Sequence, residues 1–417
     1  TLEDCLRIGI DNNLSLEGKR KEIQKSKYGV SENRSKLLPQ ITVIAGYNNN
    51  FDPPVSVTDG SSYGVPYNIT KTLQHTANAG LEMQMPLFNQ TLYTSMSIAK
   101  VMEEISRLSY GKAREDIIMQ ISKMYYLGQV TAEQIVLIKA NITRLEELRD
   151  ITQAFFDNGM SMEVDLKRVN INLENLKVQY DNAQAMMKQQ LNMLKYIMDY
   201  PAEKEFVLTP VNTDSITTVA LTGLSENIYE LQLSQSQVQL AEKQKKIISN
   251  GYIPSLSLTG SWRYAAYTDK GYHWFHSGPS NHWFRSYGLG LTLRIPIFDG
   301  LDKTYKIKKA MIDIENSKLA WENARKSLQT QYLNAVNDLM NNQRNFKKQK
   351  DNYLLAEDVY TVTSDRYREG IASMTEVLQD EMQMSEAQNN YISAHYNYRI
   401  TNLMLLKLTG QIESLVK

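Results

Sequence analysis

Side chains able to do chemistry are few in this chain of 417 residues, and they do not converge on a reaction. The five histidines, His75, His273, His276, His282 and His395, include no HExxH pair of the kind that sets two zinc ligands and a general base on one helix face. His273, His276 and His282 share one segment with several aromatic rings, where polar loop residues near an interface fit better than a metal site. Cys5 is the only cysteine, so neither an internal disulfide nor a four-cysteine zinc site can form. Within Leu2-Glu3-Asp4-Cys5-Leu6 it reads as a small apolar packing residue. No Walker loop, GxSxG elbow or nucleotide fingerprint occurs. The expectation is a protein that is not an enzyme and needs no metal or cofactor.

Charge removes another class. Lys+Arg and Asp+Glu both number 46, so there is no basic field for nucleic acid. No run of about 18 apolar residues exists, so no transmembrane helix is expected. Neither a signal peptide nor an anchor signal is visible; Thr1 opens directly on a helix pattern, which leaves export undecided.

The chain repeats itself. Leu38-Pro39-Gln40-Ile41 returns as Ile253-Pro254-Ser255-Leu256, Met85-Pro86-Leu87-Phe88-Asn89 as Ile295-Pro296-Ile297-Phe298-Asp299, and Phe156-Asp157-Asn158-Gly159 as Tyr367-Arg368-Glu369-Gly370. The offset is roughly 210 residues, far above the ~20–50 of solenoid repeats. The expected organisation is a first repeat over 1–200, a linker over 201–223, a second repeat over 224–410 and a tail over 411–417. Each repeat holds a helix, a β-hairpin (39–86 or 254–296) and a long helical hairpin turning near 159 or 370.

Four segments alternate with the period of half-buried strands. Ile41, Val43, Ala45 and Tyr47 oppose Gln40, Thr42, Gly46 and Asn48, with Ile44 the exception. Ala79, Leu81, Met83 and Met85 oppose Asn78, Gly80, Glu82 and Gln84. Leu256, Leu258, Gly260, Trp262 and Tyr264 oppose Ser255, Ser257, Thr259, Ser261 and Arg263; Leu289, Leu291, Leu293 and Ile295 oppose Gly288, Gly290, Thr292 and Arg294. Their lengths of about 9–12 residues suit tilted strands crossing a bilayer. A soluble sheet with one wet face would alternate likewise. Aromatic residues favour the membrane: Tyr47 and Phe51 crowd one strand end, and Trp262, Tyr264, Trp274, Trp283 and Tyr287 another, as rings do at a lipid interface. Loops over roughly 51–75 and 266–286 join the strands. Four strands cannot close a barrel, and edges are forbidden in lipid, so several chains must share one; three would supply twelve strands.

The remainder reads as helix: roughly 2–36 and 224–251 before the hairpins, and proline-free stretches from about Gln90 to Asn158 and Leu301 to Glu369. One heptad-spaced seam runs Ile117, Ile121, Met124, Gly128, Thr131, Ile135, Ile138, Ile142, Leu145. Its counterpart runs Leu328, Tyr332, Ala335, Leu339, Asn342, Phe346, Gln349, Tyr353, Ala356. Shorter helices of about 40 residues return along Leu166, Val169, Leu173, Leu176, Tyr180, Ala183, Met187 and along Val377, Met384, Ala387, Tyr391, Ala394, Tyr398, Leu405. A soluble coiled-coil scaffold would account for the helices but leaves the strand hairpins unexplained.

In the order and double spacing of the Leu-Pro-Gln, Ile-Pro-Ser, Met-Pro-Leu-Phe-Asn and Ile-Pro-Ile-Phe-Asp-Gly motifs, and in its opening Leu2–Asn13, the chain resembles the TolC family of outer-membrane efflux channels over essentially its whole length. Cys5 stands where that family usually has Ala. The resemblance implies a mainly α fold with a membrane β-barrel portion: duplicated long helical hairpins plus two β-hairpins per chain, in a trimeric α/β-barrel channel-tunnel. It implies a homotrimer in outer-membrane lipid, reaching into the periplasm of a Gram-negative bacterium. A periplasmic adaptor (membrane fusion) protein and an inner-membrane pump of RND or ABC type would be partners, and drugs or secreted polypeptide the cargo.

Under that resemblance the two helical turns form the periplasmic mouth. Asp165 and Glu376 each follow a turn glycine by six residues, and three-fold symmetry would gather their carboxylates and raise some of their pKa values. Acids in a first helical turn equally serve the helix dipole. Gln379 stands where relatives often carry a second acid, while Asp380 follows one position later and shares a face with Glu376. Tyr367 is expected to hydrogen-bond across to Asp165. Asn158, Gly159, Met160, Glu369, Gly370 and Ile371 are expected to contact the adaptor, or to serve only the turns.

Overall fold

A computed structural model describes residues 1–71, 73–210, 223–268 and 283–416. The elements run α1 (Leu2–Asn12), α2 (Leu14–Ser35), β1 (Gln40–Asn49), β2 (Val55–Asp59), β3 (Tyr67–Lys71), β4 (His75–Phe88), α3 (Gln90–Asp157), α4 (Glu163–Met198), α5 (Tyr229–Asn250), β5 (Ser255–Thr268), β6 (Trp283–Arg294), α6 (Asp302–Arg368) and α7 (Met374–Leu408). The long helices hold 68 and 67 residues. No helix among the described residues is long and apolar enough to cross a membrane. Two compact units emerge, and both draw on both sequence repeats: one holds Thr1–Ile23, Ile105–Ser236 and Lys318–Lys417, the other Gln24–Glu104 and Gln237–Ser317.

The second unit carries the sheet. Its four antiparallel strands lie in the order β1-β4-β5-β6, so the expected hairpins are joined through β4 and β5. The register confirms the alternation. Ile41 faces Met83, which faces Gly260, which faces Leu289; Val43, Leu81, Trp262 and Tyr287 form the next apolar row. Between these rows, Thr42, Glu82, Ser261 and Gly288 align on the opposite face. The segment between β1 and β4 departs from the expected open loop: β2 and β3 pair as a second, two-stranded sheet in which Val57 faces Ile69. The other loop narrows, because β5 extends to Thr268 and β6 begins at Trp283.

The first unit is helical. The single helix expected over 2–36 is broken at Asn13. Its side-chain oxygen accepts from the backbone N–H groups of Ser15 (2.9 Å) and Leu16 (3.1 Å), while its amide donates to the Ile197 carbonyl at 2.7 Å. A side chain that caps a new helix and bonds a neighbouring one favours the break over continuation. Cys5, Leu6 and Ile10 of α1 pack with Ile118 and Ile121 of α3, Leu194 and Met198 of α4, and Leu403 and Leu405 of α7. Gly9 sits so close to Ile121 that a Cβ would collide with its side chain. Burial pushes the Cys5 thiol up to about 11, consistent with a packing role. Every position of both predicted long-helix seams is buried or half-buried, as is every position of both return seams.

Candidate functional site

Both helical turns are built the same way. α3 ends before Gly159 (φ 72°), where Met160 N–H donates to Phe155 O at 2.8 Å and Gly159 N–H to Phe156 O at 2.9 Å. α6 ends before Gly370 (φ 75°), where Ile371 N–H donates to Arg366 O at 2.8 Å and Gly370 N–H to Tyr367 O at 2.9 Å. This is the Schellman closure, which needs a left-handed residue at that point. Asn158, Gly159, Met160, Glu369, Gly370 and Ile371 are all exposed.

The helices leaving the turns begin differently. Ser373 caps α7: its hydroxyl accepts from Glu376 N–H at 3.3 Å, and its own N–H donates to Glu376 Oε2 at 2.7 Å. That capping box holds the Glu376 carboxyl below its ordinary range, so within one chain the shift runs opposite to the expected rise. α4 has no side-chain cap. Asp165 instead sits 3.4 Å from Arg168 one turn along. Gln379 is exposed and Asp380 half-buried.

The expected Tyr367–Asp165 bond is not formed. Tyr367, 6% exposed, turns its hydroxyl to Thr152 Oγ1 of α3 at 3.3 Å, and its ring lies 5.6 Å from that of Phe155. The buried Thr152 hydroxyl itself donates to Leu148 O at 2.7 Å. The phenol is thus captured inside the packed pair of helices, short of the turn where Asp165 stands.

Other ties between the hairpins were missed from sequence. Arg168 of α4 donates to Thr375 Oγ1 of α7 at 3.4 Å, and Arg368 of α6 reaches Glu147 of α3 at 3.3 Å. Basic residues within a few turns of each glycine were the available signal. Farther along α7 a series of polar pairs joins it to α3: Gln388 with Asn141 at 2.7 Å, Tyr391 with Glu133 at 3.0 Å, and Arg399 with Gln129 at 3.3 Å. Arg144 of α3 pairs with Glu357 of α6.

On the sheet, Tyr47, Trp262, Tyr264, Trp283 and Tyr287 all lie on the apolar face with Val43, Leu81 and Leu291. That face is bare: Tyr287 is 78% and Leu289 80% exposed. Phe51 is exposed beyond β1, and Trp274 lies outside the described residues. The other face carries Gln40, Thr42, Gln84 and Thr259, with a Glu82–Arg263 ion pair.

The family model described as "Outer membrane efflux protein" matches residues 8–198 and 212–411. Outer membrane protein TolC of Vibrio cholerae is 21% identical over 92% of this chain and 84% of its own length. An antibiotic efflux pump outer membrane protein of Pseudomonas putida, ArpC, is 23% identical over 86% of this chain and 75% of its own. The crystal structure of VceC from Vibrio cholerae superposes with a TM-score of 0.79 at 14% identity, covering 98% of this chain and 96% of that one, a likeness of fold.

Proposed function

The chain belongs to the outer membrane efflux protein family, and from that premise we propose that three copies assemble into one passive export duct whose mouth is ringed by the helical turns. The protein is an outer-membrane channel-tunnel of an efflux system and a non-enzymatic transporter, and such channels work with efflux-pump components. The trimer, the gate and the particular partners are our reading.

The observation that carries it is the sheet. Four strands with one exposed apolar face, one polar face and open edges at β1 and β6 are stable in lipid only if copies pair edge to edge. The apolar face then meets lipid, Tyr47, Trp262, Tyr264, Trp283 and Tyr287 lie toward its interface, and Gln40, Thr42, Glu82 and Arg263 line the lumen. α6 adds a second argument: Leu333, Met340 and Leu354 are exposed at multiples of seven residues, a seam with no partner inside the described chain. A helix of a second copy would cover it.

At the mouth, Asp165, Glu376 and Asp380 would supply the acidic lining, with Gln379 beside them, and Tyr367 would hold the hairpins together. The exposed Asn158, Gly159, Met160, Glu369, Gly370 and Ile371 would meet a periplasmic adaptor fed by an RND or ABC pump. Cargo comparable to that named for the antibiotic efflux relative fits a polar, permissive lumen. Cys5 is buried, so a thiol introduced by Met160→Cys or Ile371→Cys is the only accessible one. Crosslinking from it to a co-expressed adaptor is expected; absence of any adduct at both positions would remove the turns as the docking point.

A further inference from the structure

Glu381 of α7 is 5% exposed, and its Oε1 has no hydrogen-bond partner among the described residues. On its own helix Val377, Leu378 and Met384, all buried, stand within one turn of it. They belong to one apolar cluster with Tyr360 and Tyr367 of α6, Leu145 and Leu148 of α3, and Val169, Leu173 and Leu176 of α4. Nothing in that surround compensates a charge. From α6 the facing titratable group is Tyr360, whose hydroxyl is pushed up to about 12 by burial first and by Glu381 second. From α3, Arg144 reaches Met384 Sδ at 3.6 Å but is ion-paired with Glu357. α4 brings Val169, Leu173, Leu176 and Ala183 to the cluster, with Tyr180 packed against it, and on α7 the half-buried Asp380 is the chain neighbour of Glu381. No cation of α3, α4, α6 or α7 pairs with Glu381 among the described residues.

We propose that Glu381 is a proton-binding site that sets how tightly α6 and α7 pack beside their turn, so that acidification shuts the mouth and neutral pH loosens it. The proposal rests on the reading of those turns as the mouth. Its sign follows from the surround. Burial raises the carboxyl to about 6 from an ordinary 4.5, so the packed state prefers the neutral acid. Proton uptake therefore tightens the packing as pH falls from 7 through 6 towards 4.5, with no further gain below. That window limits the change in the packed-to-loosened ratio to about 30-fold. Glu381 would act as a positioning residue, with no contact to cargo.

The test uses full-length protein in detergent and in planar bilayers, comparing wild type, Glu381→Gln and Glu381→Met at pH 7.5 and pH 5. Amide exchange over residues 374–392, corrected for the intrinsic pH dependence, reads packing; open probability reads the mouth. Wild type is expected to gain about eightfold protection between pH 7.5 and pH 5 and to close, whereas both variants are expected to be well protected at pH 7.5 and indifferent to pH. The methionine variant serves if glutamine impairs folding. Unchanged wild-type protection, or a response that survives in the variants, overturns the proton site. An exchange response with conduction that ignores pH overturns its link to the mouth. An exchange response with no conduction at any pH leaves the proton site standing and sinks the channel-mouth reading instead.

Discussion

Tyr367 and Thr152 hold α6 to α3 from inside, whereas Asp165 and Arg168 form a local pair on α4, with the Arg168 side chain half exposed. The two contacts therefore carry different weights. Tyr367→Phe removes one hydrogen bond from a buried site and is expected to cost about 1 kcal/mol, raising open probability several-fold in planar bilayers. Asp165→Ala breaks a partly exposed i,i+3 pair and is expected to change it less than twofold. Equal effects, or the reverse order, would show that the buried phenol is not what restrains the hairpins. The chemistry of these residues was legible in the sequence: a tyrosine and an acid close to turn glycines. Their partners were not, because whether Tyr367 meets position 152 or 165 depends on how two helices dock, and no local pattern encodes that.

At the scale of elements, period and punctuation were legible and long-range pairing was not. Alternation placed the predicted strand residues on their observed faces, except Ile295, which lies beyond the end of β6 at Arg294; a slip of one position would have turned Leu289 and Leu291 to the polar side. The joining of β4 to β5 crosses the two repeats and leaves no local trace. The break at Asn13 left a trace that was overlooked: an Asx residue directly before Leu14-Ser15-Leu16 is a capping signal. Asn13→Ala removes the cap of α2 and the bond to Ile197 together, and is expected to cost about 2 kcal/mol. A lowered thermal midpoint with faster amide exchange over residues 13–18 would bear this out, whereas an unchanged midpoint would mean that α1 and α2 are held by apolar packing alone.

The whole molecule is where sequence reading blurred most. Leu328, Tyr332, Ala335 and Leu339 are buried within the chain, while Leu333, Met340 and Leu354 on the same helix are exposed. Both sets follow coiled-coil spacing, so periodicity alone cannot say which seam serves the chain and which serves a neighbour. Under the assembly proposed, Leu333→Glu combined with Met340→Glu should leave the helical content of the chain intact by circular dichroism yet abolish the oligomer on a sizing column. A variant that assembles normally would move the inter-copy contact to another face. Whether the sheet is completed only by other copies of itself is read by native mass spectrometry of the protein extracted from outer membranes. A particle of three chains that cannot be handled without amphiphile is expected; a single folded chain, stable in plain buffer, would rule out completion of the sheet by other copies.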